Sequence, residues 1–265
     1  MILSNLLVVG AVIFFFVTVL FFVSLVIKRN DIADIAWGLG ILLVAIVSYS
    51  HSPLKGPLTT MLLIAATLWG VRLSVRIFLR NIKKGEDYRY KKWRDEWGKW
   101  FYIRSYFQVY LLQGFLMVVV GYTFVHASVY GGTDKIGIIA LIGMGIWCLG
   151  YFFEVVGDFQ LDRFIKNKPE PGAILASGLW KYSRHPNYFG EVTMWWGLWF
   201  MVSTMPFGYI ALISPLTITF LILKVSGIPM LEKKFEGNPN FELYKMRTSV
   251  FIPLPPRKSR CEPLV

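Results

Sequence analysis

Long apolar runs, each closed by a short polar or basic stretch, set the rhythm of this chain as far as Val225. Seven runs stand out: Leu6–Ile27, Ala33–Tyr49, Leu58–Leu79, Tyr106–His126, Ile136–Gly157, Tyr188–Met205 and Phe207–Val225. Each is close to the roughly 20 residues that cross a hydrocarbon core about 30 Å thick. The pattern predicts an all-α protein, a polytopic transmembrane bundle of about seven helices forming one membrane-embedded domain over 1–265. The first run lacks a basic leader, is too long for a signal-peptide core and ends in a poor cleavage site, so it reads as a retained helix. Only Met205-Pro206 separates the sixth run from the seventh, which predicts a tight turn and an antiparallel pair. Between the third and fourth runs, 83–100 interleaves charges with aromatic rings, the pattern of an amphipathic helix on the headgroup layer. The tail segment Phe251-Ile-Pro-Leu-Pro-Pro is incompatible with helix and predicts an extended cover.

Composition agrees with a membrane protein. Of 265 residues, 55% are hydrophobic and the mean hydropathy is +0.52, too apolar for a soluble domain of this length. Two cysteines, Cys148 and Cys261, give no disulfide framework, and the three histidines are too scattered for a metal cluster. The net charge is +12, and its distribution is more informative than its size. Lys28 and Arg29, nine basic residues from Arg80 to Arg104, five from Arg163 to Arg184 and seven from Lys233 to Arg260 fall on one side of the predicted membrane. Only Lys55 and Lys135 fall on the other. The positive-inside rule then puts the N-terminus outside and the tail in the cytoplasm. Because the charges lie between spans, the expected partners are anionic membrane lipids and an anionic cofactor, not nucleic acid.

Ionisable groups inside apolar runs are costly, and so point to function. Arg72 and Arg76 lie one turn apart on the third run; Glu154, Asp158 and Asp162 form a stripe at the end of the fifth. Asp31 and Asp34 open the second run, Glu191 sits one turn into the sixth and Lys224 ends the seventh. A wet pocket open to the cytoplasm would remove most of their cost. The densest motif is Ser177-Gly-Leu-Trp-Lys-Tyr-Ser-Arg-His-Pro-Asn-Tyr-Phe-Gly-Glu191. Pro186 suits the first turn of a helix. Arg184 and His185 then stand beside a helix N-terminus, which favours a phosphate or carboxylate.

That motif resembles the C-terminal signature of the steroid 5-alpha-reductase superfamily, and the chain is more closely similar to its bacterial DUF1295 membrane branch. Asp34-Ile-Ala-Trp-Gly, Leu68-Trp-Gly-Val-Arg-Leu-Ser, Gly85-Glu-Asp-Tyr-Arg-Tyr, Gln113-Gly114, Gly227-Ile-Pro-Met-Leu-Glu-Lys-Lys-Phe and Arg247-Thr-Ser-Val-Phe-Ile-Pro carry the likeness along nearly the whole chain. The resemblance implies a membrane reductase, in the bacterial inner membrane, that takes NADPH from the cytoplasm and reduces an activated C=C bond. It implies that Asp158, Asn187 and Glu191 line the cofactor pocket, with Arg184, His185 and Tyr188 in the same signature. Arg72 matches an arginine that follows a catalytic tyrosine in the steroid enzymes, but Trp69 stands where that tyrosine is expected. Asp34 is the nearest counterpart of their glutamate.

The expected mechanism has Arg184, Lys166 and Arg72 meeting the phosphates. Asp158, Asn187 and Glu191 hold the carboxamide and ribose hydroxyls. An indole cannot protonate an enolate, so Asp34, Tyr182 or Tyr188 is expected as the acid toward a lipophilic substrate. Two other readings stay open. Arg184-His-Pro-Asn-Tyr188 with Glu232 resembles the layout of isoprenylcysteine carboxyl methyltransferases, which use S-adenosylmethionine. A non-catalytic lipid-binding protein would keep the pocket without the chemistry.

Overall fold

The computed structural model describes residues 1–53, 55–82, 85–132, 136–167 and 170–257. Lys83, Lys84, Lys135, Lys168, Lys258, Arg260 and Cys261, counted above, lie outside the described residues. The described chain is helical, with α1 (Ile2–Ile27), α2 (Ile32–Ser50), α3 (Pro57–Asn81), α4 (Tyr88–Trp97), α5 (Phe101–Ser105), α6 (Leu112–Val120), α7 (Tyr122–Tyr130), α8 (Ile138–Lys166), α9 (Pro186–Val202), α10 (Ile213–Phe220), α11 (Ile228–Lys233) and α12 (Pro239–Arg247). Its extended pairing among the described residues is an isolated parallel bridge between Ser183 and Ser249.

Six helical segments are long and apolar enough to cross a membrane: Ile2–Ile27, Ile32–Ser50, Pro57–Asn81, Arg89–Val120, Ile138–Lys166 and Gly208–Lys233. This is a multi-pass membrane protein. The predicted sixth span corresponds to α9, whose 17 residues rise only about 25 Å. The fourth differs from expectation. Its helical path starts at Arg89, in the polar connection, and passes through a 3-10 turn at Gly98–Trp100 and a π-helical stretch at Tyr106–Leu111. It breaks at Gly121, where the bare Cα lies against Val44, and resumes as α7. A second π-helical stretch, Leu221–Val225, carries Lys224. Such insertions shift the register of every side chain that follows.

The chain divides into two compact units, Met1–Ala140 with Val202–Ser214, and Leu141–Met201 with Pro215–Val265. In the first, Val9, Ile13 and Val17, four residues apart on α1, are buried, while Phe14, Phe15, Phe22 and Val26 are exposed on its other faces, as expected for a helix with one protein-facing stripe in lipid. Gly114 of α6 receives Ile13 and Val17. α2 and α3 meet at Gly38 and Gly70, where a Cβ on either would lie 2.5–2.6 Å from the other's carbonyl oxygen. Ser74 Oγ accepts a hydrogen bond from the Leu39 amide at 3.1 Å.

In the second unit the same device recurs at larger scale. Gly143, Gly150 and Gly157 recur every seven residues along α8, and Gly190 and Gly197 do so along α9. Added Cβ atoms at Gly143, Gly150, Gly190 and Gly197 would meet backbone atoms of the facing helix at 2.4–2.7 Å. Lipid offers no hydrophobic drive between helices, so this close backbone approach supplies the packing. α10 returns alongside α9 after the turn at Met205 and Pro206: the Trp196 indole N–H donates to Thr219 Oγ1 at 3.3 Å. That agrees with the antiparallel pair read from the sequence.

Candidate functional site

The glycine register fixes what the end of α8 presents to the start of α9. Gly157 lies against Asn187, so the next residue, Asp158, meets the Asn187 side chain. The Asn187 amide donates to Asp158 Oδ1 at 3.0 Å. Asp158 and Glu154, one turn before it, are each only 3% exposed; Asp162 is exposed. The acidic stripe therefore runs from the interior of the unit out to its surface. Glu191, one turn after Asn187 on α9, is half-buried.

The motif before α9 is tied down at several points. Gly178 has φ 61, and a Cβ there would collide with the Gln160 side chain, which accepts from the Leu179 amide at 2.9 Å. The Trp180 indole donates to the Gly157 carbonyl at 3.0 Å. From the other side the C-terminal segment straps across it. The Arg184 amide donates to the Ser249 carbonyl at 2.8 Å, and the Leu254 amide to the Tyr182 carbonyl at 3.0 Å. Ser183 Oγ donates to the Phe251 carbonyl at 2.7 Å. The Tyr244 hydroxyl donates to the carbonyls of Trp180 and Ser183. Burial pushes the Tyr244 phenol above its ordinary range, against the pull of Arg184, so it stays a neutral donor.

Arg184 and His185 converge on a residue that the sequence reading named only for its spacing. Glu232, on α11, accepts from Arg184 Nε at 2.8 Å and Nη2 at 3.3 Å. His185 Nε2 lies 3.0 Å from Glu232 Oε1. Arg184 Nη1 donates to the Thr248 carbonyl at 3.0 Å. The guanidinium expected to face a phosphate is thus occupied by a carboxylate and the tail. The His185 ring stacks on Tyr188, with centroids 5.8 Å apart and an interplanar angle of 16°. Tyr182 is 42% exposed, and Lys166 stands exposed at the last residue of α8.

Eight of the ten predicted site residues therefore lie in one unit: Asp158, Lys166, Tyr182, Arg184, His185, Asn187, Tyr188 and Glu191. With this geometry in view, comparison with known proteins decides the family. The family described as a protein of unknown function, DUF1295, matches residues 20–248. The chain belongs to DUF1295. It is also similar to an uncharacterized protein of Schizosaccharomyces pombe, at 23% identity over 215 residues, covering 71% of this chain and 61% of that protein. The DUF1295 chain thus spans somewhat less than two thirds of that relative's length. No solved structure matches it.

The remaining two predicted residues of the DUF1295 protein, Asp34 and Arg72, lie in the first unit. Arg72 is half-buried on α3, one turn beyond the buried Trp69. Asp34 holds a cluster that sequence reasoning missed. The Tyr90 hydroxyl donates to Asp34 Oδ1 at 2.9 Å and Arg89 Nη2 to Oδ2 at 2.6 Å. Asp87 caps α4 through the Arg89 amide, and Arg94 binds Glu86 at 3.0 Å. Glu86 in turn accepts from the Asn30 amide at 2.9 Å. The motif Gly85-Glu-Asp-Tyr-Arg-Tyr90 thereby clasps the start of α2. Its charges were visible in the sequence; their long-range partners were not. A small, half-open pocket in this unit, with room for about one water molecule, is lined by Ala45, Tyr49, Thr59, Leu62 and Phe124 among others, and the Tyr49 phenol is its ionisable wall.

Proposed function

We propose that this DUF1295 protein is an NADPH-dependent membrane oxidoreductase of the steroid 5-alpha-reductase superfamily, reducing an activated C=C bond in a lipid- or steroid-like substrate. The observation that carries the reading is the buried Asp158 hydrogen-bonded to Asn187 at the first turn of α9, with Glu191 one turn further on. These are the three positions that the family resemblance implies for the cofactor pocket.

The donor set fits the nicotinamide end of such a cofactor. Asp158 and Glu191 accept from amide N–H and ribose hydroxyl groups, and Asn187 both donates and accepts. The cofactor supplies a hydride when bound. Lys166, at the exposed end of α8, is the cation left to meet phosphate. Arg184, saturated by Glu232 and the tail, holds the pocket's shape instead. Both carboxylate oxygens of Asp34 are engaged by Tyr90 and Arg89, which suits a structural clasp better than a proton donor. The positive-inside asymmetry supports an outside N-terminus, a cytoplasmic tail and a cofactor site opening to the cytoplasm of a bacterial inner membrane.

Binding is tested directly. NADPH added to the purified protein is expected to quench tryptophan fluorescence and raise the melting temperature, with both responses lost in Asp158→Ala. Absence of any response at millimolar NADPH would sink the reading. A second reading has one observation in its favour: Glu232 does bond both Arg184 and His185, realising the layout shared with isoprenylcysteine carboxyl methyltransferases. S-adenosylmethionine run beside NADPH in the same melting assay separates the two.

A further inference from the structure

The ring of His185 is held on one edge and left bare on the other. Its side chain is 7% exposed, and Nε2 sits 3.0 Å from Glu232 Oε1. Its own amide is fixed by Ser183 Oγ at 3.1 Å, and Tyr188 stacks on its face. Nδ1 is buried and has no hydrogen-bond partner among the described residues. An unpaired buried ring nitrogen is costly and calls for an explanation. Nothing in packing requires a histidine to be anchored so firmly through one nitrogen only to leave the other idle.

We propose that His185 is the proton donor of the reduction, acting from Nδ1, with Glu232 and Arg184 as its positioning residues. The inference rests on the reductase reading. A carboxylate at Nε2 fixes the ring's orientation and leaves Nδ1 as the edge that can deliver a proton. Arg184, bidentate on the same carboxylate, keeps Glu232 ionised and prevents it from taking the proton. Of the nearby chain, Tyr244 donates to backbone carbonyls, and the Lys245 ammonium pairs with Glu242 at 2.7 Å.

The chemistry balances. A hydride from the dihydronicotinamide forms the new C–H bond at the β-carbon, and the π bond breaks toward the carbonyl. The proton from Nδ1 then completes the C–H bond at the α-carbon. The alkene is reduced by two electrons, the cofactor is oxidised by two, and the neutral imidazole recovers its proton from water.

Three histidines in the whole chain make histidine-selective ¹⁵N labelling decisive, with His185→Gln assigning the His185 signals. In the full-length protein the ¹⁵N signals are expected to place the ring proton of neutral His185 on Nε2, facing Glu232. Glu232→Gln should shift both ring ¹⁵N signals. NADPH quenching should persist within about threefold in His185→Gln, while NADPH oxidation by a long-chain enone falls at least about a hundredfold. A neutral His185 that carries its proton on Nδ1, or ring signals that ignore Glu232→Gln, overturns the proposal whether or not any enone is accepted. So does His185→Gln weakening NADPH about tenfold or more, since that marks a cofactor contact. If wild-type protein ignores NADPH, the reductase reading itself fails, a result the ¹⁵N signals cannot imitate.

Discussion

Glu232 shows how little a single residue's role can be read from its own position. In the sequence it is one acidic residue before two lysines, notable only for its distance from Arg184-His-Pro. In the structure it receives three hydrogen bonds, two from a guanidinium 11% exposed and one from a nearly buried imidazole. Removing it would strand Arg184 and His185 with their charge or polarity uncompensated. Glu232→Ala is therefore expected to cost about 2–4 kcal/mol, read as a drop in melting temperature in detergent. Glu232→Gln, which keeps an acceptor oxygen, should cost about half as much. A loss in Glu232→Ala below about 0.5 kcal/mol would show that the network is ornamental. Arg184 stood out in the sequence as a cation beside a helix start, but its partner lay 48 residues away, and no local pattern encodes that distance. The same holds for Asp34, whose ligands Arg89 and Tyr90 lie more than 50 residues on. Resemblance alone implied that Asp158 and Asn187 share a pocket, and the structure brings them to hydrogen-bonding distance.

At the scale of elements, hydropathy was a good guide to existence and a poor one to boundaries. The long apolar runs became helices because backbone groups in lipid must be paired internally. The helix read over 83–100 is realised as α4, but its continuation through α5 into the fourth run was not foreseen, because charged and aromatic residues there hide the join from an apolar window. α9 came out short because Pro186 starts it and the turn through Met205 ends it. The sequence did carry one further signal: glycines at seven-residue spacing on two neighbouring runs. That repeat sets the register of α8 against α9 and so delivers Asp158 to Asn187. It yields a paired prediction. Gly190→Ala should destabilise by about 1–3 kcal/mol, since its Cβ would sit 2.4 Å from the Glu154 amide nitrogen. Gly145→Ala, on the same α8 but with nothing within 4 Å of its Cβ, should be neutral or stabilising by up to about 1 kcal/mol. Melting curves of the two variants test it, and equal effects would mean that the helices can separate without loss.

For the whole molecule, the side of the membrane on which each connection lies decides whether the chemistry is possible at all. The proposed cofactor, NADPH, is a cytoplasmic solute, so that proposal requires the ends of α8 and α9 that carry Asp158 and Asn187 to face that compartment. The inference comes from charge counting, not from geometry: lysines and arginines crowd connections on one side, leaving Lys55 and Lys135 on the other. Single cysteines read it out. With Cys148 and Cys261 replaced by serine, Lys55→Cys is expected to react with a membrane-impermeant maleimide in intact cells. Lys92→Cys, on the 69% exposed side chain of α4, should react only after the membrane is opened. The opposite pattern would invert the chain and place the buried carboxylate and its amide partner where no reduced nicotinamide cofactor reaches them. The reductase assignment would then fall on topology alone, even though every hydrogen bond in the second unit stayed as described.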